Sequence, residues 1–175
     1  MFVSSVMTFT GAIFTPFYVT YVRSIEGSFI LAGSSLAFLS ILTGVFVFFI
    51  GKIEMRYLHK RNLMALGYAF RGAAFIALAV SSSSFGLLGG LVLMSIGTAI
   101  SLPAFDVLYT RNVSGVTDSS VDWANLQSLA YLVTGLAALA GTFLIEQFGF
   151  REIFIMLGFL AFVMSLYVHR VKDLE

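Results

Sequence analysis

Long apolar runs alternate with short polar interruptions along the whole chain. The runs have the length of a membrane crossing, which takes about 20 mostly apolar residues in a helix. The first extends from Phe2 to Val22 without a charge and is closed by Arg23 and Glu26. The second lies between Glu26 and Lys52. The third runs from about Leu63 to Val80 and contains one charge, Arg71. From Gly72 to Phe105 the chain carries no charge for 34 residues, too long for one crossing. The polar stretch SSSSFG, residues 81–86, divides it, so a fourth span begins near Phe85 and reaches Leu108. Trp123 to Ile145 and Ile153 to Val168 make the fifth and sixth. The pattern predicts an all-α membrane protein, with residues 1–175 forming a single six-helix transmembrane domain.

Composition supports that class. Apolar residues make up 59% of the chain and charged residues 11%, against roughly 45–50% and about 25% in soluble domains. So few charges cannot cover the surface of a water-soluble globule, and the expected surroundings are a lipid bilayer. A formal net charge of +1 gives no basic field for nucleic acid. The absence of cysteine excludes disulfides, cysteine nucleophiles and thiolate metal sites. His59 and His169 each sit in a charged segment, and neither has a second histidine at metal-ligand spacing. No phosphate loop or nucleophile–base pair occurs, so neither an enzyme, a cofactor nor a metal is expected. Phe2–Val22 exceeds the apolar core of a signal peptide, about 7–15 residues, and no basic segment precedes it, so the mature chain is expected to start in or near a membrane helix.

Lysine and arginine in the connections orient the spans. Lys52, Arg56, Lys60, Arg61, Arg111, Arg170 and Lys172 fall on one side, and only Arg23 and Arg151 on the other. The richer side is expected to be cytoplasmic, with both termini inside. Tyr57 and Trp123 near the inner ends, with Tyr18 and Tyr21 near the outer end, suit an aromatic belt.

Two stretches repeat each other. PFYVTYVR (16–23) and PAFDVLYTR (103–111) both run from proline through an aromatic residue and tyrosine to arginine, with Gly11 and Gly97 upstream. SLAFLSILTG (35–44) then matches SLAYLVTG (128–135). Two successive matches in the same order, in helices of opposite direction, predict a 3+3 inverted-topology repeat, residues 1–80 and 85–168.

With these features the chain resembles one six-helix half of a major facilitator superfamily transporter over essentially its whole length. GTAISLPAFDVLY (97–109) is similar to the Gly-rich fourth helix of that family. GLAALAGTFLIEQFGFREIF (135–154) resembles the Gly/Ala-rich fifth helix and the entry to the sixth. GKIEMRYLHKRN (51–62) occupies the place of the basic gating loop between helices two and three. There Gly51, Arg56 and Lys60 fit the family pattern, and Arg61 adds a further base. Met55 stands in place of the family's Asp, with Glu54 one position early, and Leu58 replaces its second Gly.

The resemblance implies that helices one and four line a central cavity and that helices two and five flank the seam between halves. Candidates for the substrate or proton pathway are then Thr15, Tyr18, Thr98, Ser101 and Tyr109 on the first pair, and Asn125, Gln127 and Tyr131 on the fifth helix. Thr8, Thr10, Ser40, Thr43, Ser128 and Thr134 belong to the same surfaces. Any single hydroxyl can instead bond to its own helix backbone. As a set they describe a cavity that is polar but barely charged, suited to a neutral or amphiphilic solute. Asp106, three residues after the helix-loosening Pro103, either binds a cation or cycles a proton, or pairs with Arg111 at the inner interface. Arg71 either holds an anionic substrate or a carboxylate such as Asp106, or supports a peripheral third helix with its side chain snorkelling inward. Gly86/Gly90 and Ala137/Gly141 are small-residue pairs that suit packing within the unit.

Such transporters hold a small-molecule substrate between two six-helix halves. The expected function is therefore secondary active transport by alternating access, as a parallel homodimer of half-size units paired through helices two and five. Prokaryotic plasma membrane is the expected location. The alternatives are a non-transporting scaffold or accessory subunit, or an excised half of a longer transporter.

Overall fold

The computed structural model describes residues 2–26, 28–57, 60–113 and 119–170. These form six α-helices: α1 (Phe2–Glu26), α2 (Phe29–Tyr57), α3 (Lys60–Val80), α4 (Ser84–Val113), α5 (Ser119–Phe148) and α6 (Phe150–Arg170). Among the described residues, five stretches are long and apolar enough to cross a membrane: Phe29–Lys52, Lys60–Val80, Ser84–Val107, Trp123–Phe148 and Phe150–Arg170.

The helices outrun the apolar runs that predicted them, because polar helix ends can continue into water at no cost to their internal bonds. This corrects the expected gating loop. Gly51, Glu54 and Arg56 lie in the last turns of α2, and Lys60 and Arg61 open α3. Asp106 likewise lies within α4 rather than at its end.

Local signals set the boundaries. Ser28 caps α2, its hydroxyl accepting from the Leu31 amide at 3.3 Å. Ser83 caps α4 through the Gly86 amide at 3.3 Å. Between α5 and α6 the chain turns on Gly149 alone, at φ 87°. Its amide returns to the Ile145 carbonyl at 2.9 Å, a left-handed helix end that a side chain would strain.

The third helix is not loosely attached to the unit. α3 is the most enclosed of the five candidate spans and packs closely on both α4 and α6. Glycine is the reason. A Cβ at Gly67 would stand 2.7 Å from the Gly97 carbonyl oxygen of α4. On the other face, Gly72 and Gly158 of α6 approach so closely that a Cβ on either would lie 3.1 Å from the other's carbonyl oxygen. α1 packs chiefly on α5, where Ala137 is buried and Gly141 receives Phe17, while α4 packs on α2. Both small-residue sites serve packing inside the unit, with Gly90 seated against Leu78.

The core divides into two apolar clusters at different depths. One gathers Phe14, Tyr18, Tyr21 and Val22 of α1 with Phe75 and Leu78 of α3, Leu87 and Leu91 of α4, and Phe154 of α6. Most of its rings meet edge-on or tilted, as Tyr21 and Phe154 do at 82° with centroids 4.7 Å apart, while Phe75 and Phe154 stack at 30°. The other joins Leu63, Met64 and Tyr68 to Ile100, Ala104, Met164 and Val168. Between them lies a polar layer.

Candidate functional site

That layer is built around Arg71. Residue 71 stands 11 positions after Lys60 and 9 before Val80, about 16 and 14 Å along the helix axis from either end. The side chain is 7% exposed. It does not snorkel, which corrects that expectation. It runs inward instead, because glycines clear its path. A Cβ at Gly97 would stand 2.8 Å from the Arg71 Cγ, so only glycine lets the stem pass α4. On the α1 side a Cβ at Gly11 would still lie 3.9 Å from Nη2. The two glycines that recur upstream of the repeated prolines therefore flank the one charge in the third span.

Arg71 Nη2 donates to Thr10 Oγ1 at 3.5 Å, longer than the roughly 2.7–2.9 Å of a strong charge-assisted bond. Among the described residues no carboxylate lies within ion-pair distance of it. One helical turn earlier, Tyr68 is 2% exposed, and among the described residues its hydroxyl has no hydrogen-bond partner. The i, i+3 spacing places Tyr68 and Arg71 on one face of α3. Ser95 and Ser101 are fully buried nearby in sequence on α4. Ser95 donates to the Leu39 carbonyl at 3.3 Å and ties α4 to α2. Ser101 donates to the Gly97 carbonyl of its own helix at 2.8 Å.

The other sequence candidates are dispersed. Tyr18 is fully buried and donates to Ser35 Oγ at 2.8 Å; the Ser35 hydroxyl donates in turn to the Ala32 carbonyl at 3.0 Å. This chain fastens α1 to α2. Thr98 is half-buried on α4. Asp106 is exposed, nine residues beyond Gly97 and thus about 14 Å along α4 from the level of Arg71. The two charges are not brought together. Asn125, Gln127 and Tyr131, the last 76% exposed, stand on the outer surface of α5. Gly51, Lys60 and Arg61 are half-buried at the α2–α3 connection. The side chains of Thr15, Tyr109, Glu54, Arg56 and Arg111 lie outside the described residues, as does residue 172.

Sequence reasoning did not single out Tyr68. Its only signal is the three-residue offset from Arg71. Thr10 was one hydroxyl among several, marked out only once α1 is placed across from α3.

Residues 1–173 match the family model of the Major Facilitator Superfamily. No curated protein and no solved structure matches the chain.

Proposed function

Since the chain belongs to the major facilitator superfamily, a family of membrane transporters, we propose that it is a six-crossing unit that moves a small solute by alternating access against a second six-helix unit. Helix α1 supplies the sixth crossing, and the two three-helix repeats are related by inverted topology. The packing supports this reading: α1 seats on α5, and α4 on α2, so each repeat's first helix takes the other repeat's second helix.

One observation carries the proposal of a second unit. The spans of α2 and α5 are the least enclosed of the five and present a broad apolar surface, with Ile41, Phe48, Leu132, Leu136 and Phe143 all exposed. Gly44 and Gly135 occupy the same place in the repeat, and each has open space where a Cβ would stand. Glycines facing nothing within the unit are suited to close approach by another helix. Thr43 and Thr134 beside them donate to the Leu39 and Ala130 carbonyls at 2.7 and 2.8 Å, so their polarity is met within the helix. Asn125, Gln127 and Tyr131 are the polar groups that a covering partner would take out of lipid.

The second unit is another copy of this chain, set parallel about a two-fold axis along the membrane normal, with both termini cytoplasmic. Closed two-fold pairing is the commonest association of identical chains. The chain has no cysteine, so single-cysteine variants need no prior engineering. Cysteine at Thr43 or Thr134 should crosslink between copies in membranes. Cysteine at Leu66 of α3 or Phe159 of α6, both exposed, should not. Pairing through Leu66 or Phe159, or a strictly monomeric protein that still transports, would refute the arrangement.

A further inference from the structure

A guanidinium carries five N–H donors and keeps its charge in any protein environment. Arg71 places that charge near the middle of the bilayer, where ionisable groups are tolerated only when paired. The described residues give it one long bond to a hydroxyl and no carboxylate. Beside it on the same face of α3, the Tyr68 hydroxyl is buried and has no partner among the described residues. Two buried donors one turn apart on the same face of α3, both short of acceptors, describe the complement of an acceptor.

From Arg71 between the two repeat glycines, with Thr10 against it and Tyr68 one turn away on the same helix face, we infer that this layer is a binding site for the carboxylate of a small amphiphilic monocarboxylate. The chemistry selects that class. One guanidinium balances one negative charge, so a dianion such as phosphate would bring an uncompensated charge into the core. Arginine presents two parallel N–H bonds to a carboxylate, and tyrosine adds a third donor. A lipid headgroup is excluded by depth, because Arg71 lies about 14 Å or more along α3 from either end. The solute's apolar body has apolar neighbours on both sides, since the layer lies between the two hydrophobic clusters.

Access comes from α1. Its backbone does not approach α3 or α4 closely, and large side chains bridge the gap. It is held across from α3 by the Phe14–Phe75 ring contact, the Tyr21 hydroxyl on the Leu78 carbonyl, and the Arg71–Thr10 bond. Of these three, only the last lies at the polar layer. Displacing Thr10 from Arg71 exposes the donors without breaking the glycine-packed α3–α4 and α3–α6 contacts. The site's role as a solute site rests on the transporter reading, whereas carboxylate binding does not require it.

The test is ligand-dependent thermal stability of the purified protein in detergent, with acetate, butyrate, chloride and methyl butyrate as probes. A ligand that binds only the folded protein raises its unfolding midpoint. Butyrate should raise it more than acetate, and both more than chloride at equal ionic strength. Methyl butyrate partitions into micelles alike but lacks the charge, and should have no specific effect. Tyr68→Phe should weaken butyrate binding about tenfold, the equivalent of one hydrogen bond to a charged group. Arg71→Gln should abolish it; if that variant does not fold, Tyr68→Phe alone decides. Equal effects of butyrate and its ester, or wild-type butyrate affinity in Tyr68→Phe, would overturn the inference. The assay involves no gradient and no flux. Binding without transport would therefore sink the transporter reading alone, and transport without a carboxylate response would sink this site alone.

Discussion

Replacing Gly67 by alanine adds one methyl group where α3 meets α4. The new Cβ would stand 2.6 Å from Ser101 Cβ, 2.7 Å from the Gly97 carbonyl oxygen and 2.8 Å from the Ser101 amide nitrogen. Ordinary van der Waals contact begins near 3.4 Å, so the shortfall is about 0.6–0.8 Å against atoms on or next to a helix backbone. No rotamer relieves it, and the helices must part. Overpacking of this kind costs about 1–3 kcal/mol, and the separation weakens dispersion contacts along the whole crossing. Alanine returns about 0.8–1 kcal/mol through its better helix propensity. The net should be a loss of up to about 2 kcal/mol. Gly89→Ala on the same α4 is the control, since nothing lies within 4 Å of its Cβ position; there only the propensity gain remains, at most about 1 kcal/mol. The propensity gain is common to both, so reversible unfolding in mixed micelles, titrated with denaturing detergent, should separate the two variants by about 1–3 kcal/mol. If Gly67→Ala proves as stable as Gly89→Ala, the close α3–α4 crossing is wrong, and with it the passage of Arg71 beside Gly97.

Cysteines introduced at Ser82, in the α3–α4 turn, and at His59, between α2 and α3, should react with impermeant maleimide from opposite sides of the membrane, with Ser82 outside. Labelling of both from one side would remove the six-crossing topology. If Asp106 carries the coupling proton, Asp106→Asn should abolish uptake driven by a pH gradient while sparing solute exchange, because an amide releases no proton. Intact gradient-driven uptake in that variant would make Asp106 a structural residue.

The places of the apolar helices could be read from the sequence because they depend on charge-free length, a property of the chain alone. The charges at Arg23, Lys52 and Arg151 mark where apolar runs stop, and the SSSS stretch marked the α3–α4 turn. What could not be read was which face of each helix turns inward. α2, α4 and α5 are apolar all round, so periodicity does not orient them. Burial of α3 depends on Gly67 and Gly72 meeting particular partners on α4 and α6, a pairing that no single-helix pattern encodes. The candidate site shows the same division. Arg71 is conspicuous as a lone charge in an apolar span. Its neighbours Thr10 and Tyr68 become visible only when α1 and α3 are placed opposite each other. The repeated glycines are visible as a sequence motif, yet their purpose, to make room for an arginine on a third helix, belongs to the assembled structure.

The seating of α1 on α5 also has a consequence for biogenesis. Residues 27–118 lie between these two helices. At about 5–20 residues per second of synthesis, α1 waits roughly 5–20 s for the surface that receives Phe17 at Gly141. During that interval it has α2 as its neighbour, fastened by the Tyr18–Ser35 bond. The nascent α1–α2 hairpin is thus the stretch most dependent on the insertion machinery or a membrane chaperone for shelter. Defects in Tyr18 or Ser35 should surface first as degradation during synthesis, before any loss in the finished protein.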